Sequence, residues 1–514
     1  MNRSTRRHMM TEAIAVLDIG MTNKKVVLYS LDLKQLEEHK RTFPPRMVDG
    51  LETHDLEAIE AWFLAVLEDC ATRWRIRAIA VSTHGATFVC TDEEGRPVAP
   101  CIYYTHEPGP DFHARFYALA GERVTLQKAT GTPDFAALIN PAKGLFFLSE
   151  RCPEALSAAR YILPYPQYWG MRFTGLPSAD GTYVGCHTYL FDWLENGYST
   201  VADRLGILSK LPTPIRSPWE VLGTIKPEIA SRTGLKPDTI VTLGIHDSNA
   251  SIIPHMLIRK GRDFVLNSTG TWCVLMHPVE RYGFEPDELG KVVFFNRSAW
   301  NTPIKTAIFL GGKEYETWAN LIARSARRSA ALPAPGIEDF RSVLAEKSCF
   351  ILPEIVPGSG QFPGSAACAV EHGVRYSLDS IEKDLALPHF MNNSRKALAV
   401  LTISLVMQTL VALERTGLSA GTEILTEGGF RNNAEYNSLL ASALPQNRVC
   451  LTDLREATSF GTALTALSAL GGLPPEQLAS FISIEEIPVH PMPVGELLGE
   501  YRQAWQQHIT GGAR

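Results

Sequence analysis

The chain has 514 residues, a formal net charge of −6, 45% hydrophobic residues and 20% charged ones. That balance is ordinary for a globular protein of two or three domains and excludes an electrostatic binder of nucleic acid. Nine cysteines, an odd number with no CxxC spacing, argue against a disulfide framework or a zinc site, and for reduced thiols in the cytoplasm.

The opening "MNRSTRRHMM" is basic, but Asp18 soon interrupts the apolar run that follows, so no signal peptide is expected. "AIAVLDIG" reads as a strand, "MTNK" as a polar turn and "KVVLYSLD" as a second strand, which makes a hairpin. Within it, "DIGMTNKK" sets an acid at a strand end before a tight turn and two cations. Such a turn can offer backbone N–H groups and the Thr22 hydroxyl to phosphate, with Lys25 as a counter-charge. Asp18 can hold a hydrated Mg²⁺ ion through oxygen. Read alone, the same residues are equally an ordinary hairpin. A helix is expected over Leu56 to Cys70. "IRAIAVSTHGATFVC" follows as strand, polar break at Ser82 to Gly85, and strand. His84 stands at that strand end, able to donate or accept a hydrogen bond.

"VTLGIHDSNASI" places one carboxylate, Asp247, among small polar residues. By itself this is a turn, because Asp commonly bonds its own backbone where strands stop. "DFVLNSTGTWCVLM" repeats the strand, turn, strand plan. Its "NSTGTW" supplies hydroxyls and one glycine for close approach to a ligand. "ALAVLTISLVMQTLVAL" carries Thr402, Ser404, Gln408 and Thr409 and falls short of a membrane span, so a buried helix ending near Gly417 is expected. "TEILTEGGFRNNAEYNSLLASAL" is a strand, a Gly-Gly turn and a helix, with Asn432 or Asn433 as its N-cap. "VPGSGQFPGS" is a surface connection or a loop over a cleft. Strands mixed with helices make this an α/β chain of two related halves divided near residue 255.

Acid-turn-cation, "GIHDSNAS", "NSTGTW", "EGGFRNN" and finally "EATSFGTALTAL", in that order, resemble the FGGY family of carbohydrate kinases over about Ile14 to Leu470. "STHGAT" and "YPQYWGMRFTG" match further family segments. The resemblance implies two actin/hexokinase-type (ribonuclease H-like) ATPase domains, residues 11–254 and 255–485, with a cleft between them. It implies phosphoryl transfer from ATP, with Mg²⁺, to a small sugar in the cytoplasm, with no nucleic-acid or membrane partner, and leaves a homodimer open. Asp247 falls on the family's catalytic base and Asp18 on its metal-holding acid. Thr22, Asn23, Lys25, Thr269, Gly270 and Thr271 fall on the phosphate turns, and Gly428, Gly429 and Asn433 on the adenosine side. Asp247, His84, Tyr103, Tyr104 and His106 fall toward the sugar, whereas His246 is expected to be structural.

Several positions depart from the common pattern. Met21 replaces the usual Thr, Gln167 stands where many members have Asp, and Asn437 with Ala441-Ser442 replaces Gln and an Ala-Asp pair. Met21 before Thr22-Asn23, "STGTW" and the tyrosines of "IYYTHEP" resemble the L-fuculose and L-rhamnulose kinase branch. A ketose or deoxyketose is therefore the expected substrate, ahead of a pentulose, a polyol or a linear signalling sugar. A sugar-responsive protein without turnover is the rival from another class. A DNA-binding version would need an added helix-turn-helix, for which little chain precedes the first strand.

Overall fold

The computed structural model describes residues 10–326, 332–454 and 456–510. The basic N-terminal stretch, residues 1–9, lies outside them. The first sheet is built from β1 (Glu12–Ile19), β2 (Asn23–Ser30), β3 (Gln35–Thr42), β4 (Arg75–Thr83), β5 (Val221–Thr224), β6 (Ile240–Thr242) and β7 (Ile245–His246). Its order is β5-β6-β4-β1-β2-β3, with β7 also pairing β4. β1 is buried on both faces from Ala13 to Leu17, which is why it reads as a continuous apolar run. β2 and β3 run antiparallel from it, while β4, β6 and β7 are joined by parallel pairings.

The second sheet repeats this plan with β8 (Phe264–Thr269), β9 (Cys273–Pro278), β10 (Val293–Arg297), β11 (Pro303–Phe309), β12 (Glu423–Gly428), β13 (Val449–Thr452) and β14 (Glu486–Pro488), in the order β10-β11-β9-β8-β12-β13-β14. Again an antiparallel meander precedes parallel pairings, here β8 with β12 and β12 with β13.

The helices used below are α1 (Leu56–Ala71), α2 (Tyr165–Thr174), α3 (Asp247–Arg259), α4 (Gly311–Ser325), α5 (Ser394–Arg415), α6 (Ala434–Ala443), α7 (Ala457–Gly471) and α8 (Gly495–Thr510). Asp55 caps α1 by accepting from the Ala58 N–H at 3.0 Å, and Asn433 caps α6 by accepting from Tyr436 N–H at 2.9 Å. α5 is long and apolar enough to cross a membrane, yet its apolar stretch is 94% buried within the fold. All-round burial of this kind identifies a core helix. It ends at Arg415, and Gly417 follows in the left-handed region at φ +86°.

α3 runs across the expected division at 254/255. It packs on α7, and α7 in turn packs on β1 and β4. A helix from the second half thereby completes the core of the first. α8, with Tyr501 and Trp505 buried, closes the second core beyond residue 485. Gln361 of "VPGSGQFPGS" is buried and donates to the carbonyls of Val292 and Ile308, so this segment is pinned to the second sheet.

Candidate active site

Strand register gathers the acids. Asp18 and Ile19 of β1 stand beside Ser82 and Thr83 of β4, and these stand beside Ile245 and His246 of β7. One residue further along, His84 N–H donates to Ile19 O at 2.9 Å and the chain enters α3 at Asp247. Asp18 and Asp247, remote in sequence, therefore meet at the C-terminal ends of adjacent central strands.

Ser82 Oγ donates to Asp18 Oδ1 at 3.2 Å. Burial, then the nearby Asp247 charge, raises the Asp18 carboxyl to about 7, against the opposing pull of Lys25 and Ser82. A desolvated carboxylate with one donor and a second anion nearby calls for a cation, and its hard oxygens fit Mg²⁺. Asp247 is held by the Ser248 N–H at 2.6 Å, and its side chain remains 31% exposed to the cleft. Burial also raises its carboxyl above the ordinary range, opposed by His84 and by Ser248.

Asp247 forms one wall of a cavity of about 220 Å³. His84, Tyr104, His187, His246, Ser248 and Asn296 supply polar groups to it, and Phe135, Ile139, Trp272, Val274, Phe294 and Ile308 supply apolar surface. No Lys or Arg lines it among the described residues. Burial lowers His84 to about 4 and His187 and His246 to about 3, so the imidazoles act as neutral donors and acceptors.

Of the residues expected to face the sugar, His84 and Tyr104 line this cavity beside Asp247, whereas Tyr103 and His106 do not. Tyr103 packs on His54 with ring centroids 4.3 Å apart, and His106 packs edge-on to Phe147. Tyr104 begins a turn in which His106 N–H donates to Tyr103 O at 3.1 Å, and its ring lies 5.6 Å from that of His84. His246, expected to be structural, lines the cavity, with Nε2 3.2 Å from Asp247 Oδ1. Cys186, His187, Phe135 and Phe294 were missed. The Cys-His pair is the one local signal among them, since the two phenylalanines read as core.

The turns expected to hold phosphate differ in what they leave free. Thr22 is exposed, and Asn23 accepts from Thr42 Oγ1 at 3.1 Å. Lys24 is fully buried and donates to the carbonyls of Gly20 and Met21, so it braces the turn from beneath. Lys25 reaches across to Glu456 at 2.5 Å. Gly270 and Thr271 are exposed. Thr269, expected to hold phosphate through its hydroxyl, instead donates to Glu427 O and accepts from Phe430 N–H, tying two strand ends together. Behind the turn, Gly312 at the start of α4 lets that helix approach, since a Cβ there would sit 1.9 Å from Gly270 O. This second Gly-Gly, in "LGGKEYETW", is the local sequence signal of that close approach.

On the far side, a cavity of about 670 Å³ is lined by Gly429, Asn433, Phe430, Tyr315, Asn320 and Leu398, among others. Gly428 does not line it and instead lets β12 close against β8. Asn437 donates to the carbonyls of Phe430 and Asn433, each at 2.7 Å, and so holds the Gly-Gly turn. Gln167, buried in α2, donates to Leu243 O at 3.0 Å and braces the segment leading to Asp247.

Residues 13–253 match the family model "FGGY family of carbohydrate kinases, N-terminal domain", and residues 261–474 match "Carbohydrate kinase FGGY, C-terminal domain". Among curated proteins, a rhamnulokinase of Enterococcus faecalis is 26% identical over 270 residues, which is 50% of this chain and 52% of the relative. A gluconokinase of Bacillus subtilis is 27% identical over 274 residues, 49% of each chain. The matched region thus spans about half the length of the curated relatives. A carbohydrate kinase structure from Novosphingobium aromaticivorans is 26% identical, with a TM-score of 0.78, covering 98% of this chain and 100% of that one. A gluconate kinase structure from Lactobacillus acidophilus, 17% identical with a TM-score of 0.79 over 98% of each chain, shares the fold. Two actin/hexokinase-type domains, both matched by family models, establish that this chain belongs to the FGGY family of carbohydrate kinases.

Proposed function

We propose that this chain is a cytoplasmic ATP-dependent kinase of a neutral ketose or deoxyketose, such as L-rhamnulose or L-fuculose, with Asp247 as general base. The observation that carries the reading is the placement of Asp247. It forms a wall of the smaller cavity, at the end of the central strands that also presents Asp18 and the first turn expected to hold phosphate. A sugar hydroxyl held there would donate to the Asp247 carboxylate and attack the γ-phosphorus in line. Asp247 accepts the proton as the P–O bond forms and the β,γ bond breaks, leaving ADP.

Asp247 begins α3, so the helix N-terminus favours its ionised form until the proton arrives. Thr22, Asn23, Gly270, Thr271 and Lys25 would position the phosphates, and Gly429 and Asn433 the adenosine. Mg²⁺, held by Asp18, would offset the phosphate charge. The apolar half of the sugar cavity suits a deoxy sugar's methyl or C–H face, and the rhamnulokinase relative supports that class.

An aldonate is the second reading, favoured by the gluconokinase relative and opposed by the lack of a cation lining the cavity among the described residues. The test is ADP release with Mg-ATP across ketoses, deoxyketoses, gluconate and polyols, for wild type and Asp247→Asn. Stimulation by one neutral ketose, lost in the variant while ATP still binds, is the expected result. Stimulation by gluconate replaces the substrate assignment. Binding of a sugar without any ADP release supports a non-catalytic sugar-responsive protein.

A further inference from the structure

We propose that Cys186, His187 and His246 form a site for a soft divalent cation, Zn²⁺ foremost, on the floor of the smaller cavity, and that this ion and the sugar exclude one another. One ligand atom from each residue lies within 4.8 Å of the other two. Cys186 Sγ and His246 Nε2 are 3.9 Å apart. Zinc bonds of about 2.0–2.3 Å in a tetrahedral arrangement need ligand atoms roughly 3.3–3.7 Å apart, so the Cys186–His246 pair must close by a few tenths of an ångström and the other two pairs by about 1.5 Å at most.

The space between the ligands is kept open by Gly85. A Cβ at that position would sit 2.8 Å from His187 Nε2 and 2.9 Å from His246 Nε2, so the missing side chain is what lets both imidazole nitrogens approach the same stretch of backbone. His187 is itself held at φ +40°, an unusual backbone for a residue with a side chain. Its carbonyl is fixed by the buried Asn140 amide at 3.0 Å. A bent backbone of this kind is a reason to look for function.

One thiolate and two imidazoles suit Zn²⁺ and not Mg²⁺. Three protein ligands leave a fourth position, and all three residues line the cavity. Zn²⁺ binding would release the Cys186 thiol proton to solvent, forming the sulfur–metal bond with no change in oxidation state. It would also claim His246 Nε2, which stands 3.2 Å from Asp247 Oδ1, and fill space that a sugar needs. From sequence, the lack of any CxxC spacing argues against a zinc site. The fold instead assembles one from an adjacent Cys-His pair and a distant histidine.

Co²⁺ serves as the spectroscopic probe, added to the full chain in Mg²⁺ buffer. One Co²⁺ per chain with a thiolate-to-cobalt absorption band, displaced by one equivalent of Zn²⁺, is expected. Cys186→Ser, which removes a direct ligand, should abolish the band and weaken Zn²⁺ binding by on the order of 100-fold or more, beyond what loss of an outer partner costs. Cys70→Ala should keep the band, although Cys70 belongs to a second cluster with Glu37 and His39. Absence of the band in wild type, its survival in Cys186→Ser, or its loss in Cys70→Ala overturns the site. The exclusion clause alone rests on the kinase reading: the sugar that stimulates ADP release should weaken Zn²⁺ binding competitively, and unchanged Zn²⁺ affinity at saturating sugar overturns that clause while the spectrum still judges the site.

Discussion

Replacing Gly428 by Ala should damage the nucleotide side far more than replacing its neighbour Gly429. Gly428 has φ +78° and ψ −146°, a conformation close to one that only glycine adopts readily, at a cost to other residues of about 1–3 kcal/mol. A Cβ there would also lie 1.9 Å from Thr269 O and 2.8 Å from its carbonyl carbon. Ordinary contact begins at 3.4 Å, so β12 and β8 must part by about 1.5 Å where backbone faces backbone. Overpacking of this kind adds about 1–3 kcal/mol. The sum, roughly 2–6 kcal/mol, implies a fall in melting temperature on the order of 5 °C or more. At Gly429 the nearest atom to such a Cβ is Thr269 O at 3.8 Å, an ordinary contact. Thermal unfolding and ATP calorimetry on both variants provide the assay. Gly428→Ala should melt lower and bind ATP about tenfold more weakly or worse, a loss of about 1.4 kcal/mol. Equal behaviour of the two variants would refute the close-approach argument.

Asp247→Asn keeps an oxygen for the Ser248 N–H but cannot take the proton, so kcat should fall about 10²- to 10⁴-fold with ATP affinity preserved; full activity in steady-state assays would remove Asp247 from the base role. Glu314 is buried against Gln408 and the Glu354 N–H, and burial raises its carboxyl from 4.5 to about 7. The folded state therefore binds this proton more tightly than the unfolded state. Its contribution is intact below pH 4.5 and is lost as pH rises through 7, by at most about 3 kcal/mol. Glu314→Gln should flatten the fall in stability between pH 5 and 8 in denaturant titrations, and an unchanged slope would count against the assignment. Gly461→Ala would place a Cβ 1.9 Å from Ala250 O where α7 crosses α3. Calorimetry should show a melting temperature lower by several degrees, and no shift would mean that this crossing is less tight than described.

Much of this molecule is legible along the chain because burial imprints local patterns. The apolar run of β1, the polar turn after it, the cap at Asn433 and the left-handed Gly417 each follow from their own neighbours, although β2 begins at Asn23, inside the expected Met21 to Lys24 turn. The order of motifs likewise carries the family. Other features depend on partners far away in sequence. Register between β1, β4 and β7 sets Asp18 beside Asp247, and no local periodicity encodes that register. Thr269 reads as a phosphate ligand until Glu427 and Phe430 engage its hydroxyl. Tyr103 and Tyr104 are indistinguishable by type, and the bridge between Thr53 and Ile102 helps orient their segment. Cys186 and His187 become neighbours of His246 only when the first domain folds around them. The sequence by itself determined the strands, helices, turns and family, because those rest on short-range backbone preference and burial pattern. Only the tertiary structure decided which polar groups face one another in the cleft, because hydrogen bonds and desolvation act over a few ångströms of space whatever the separation along the chain.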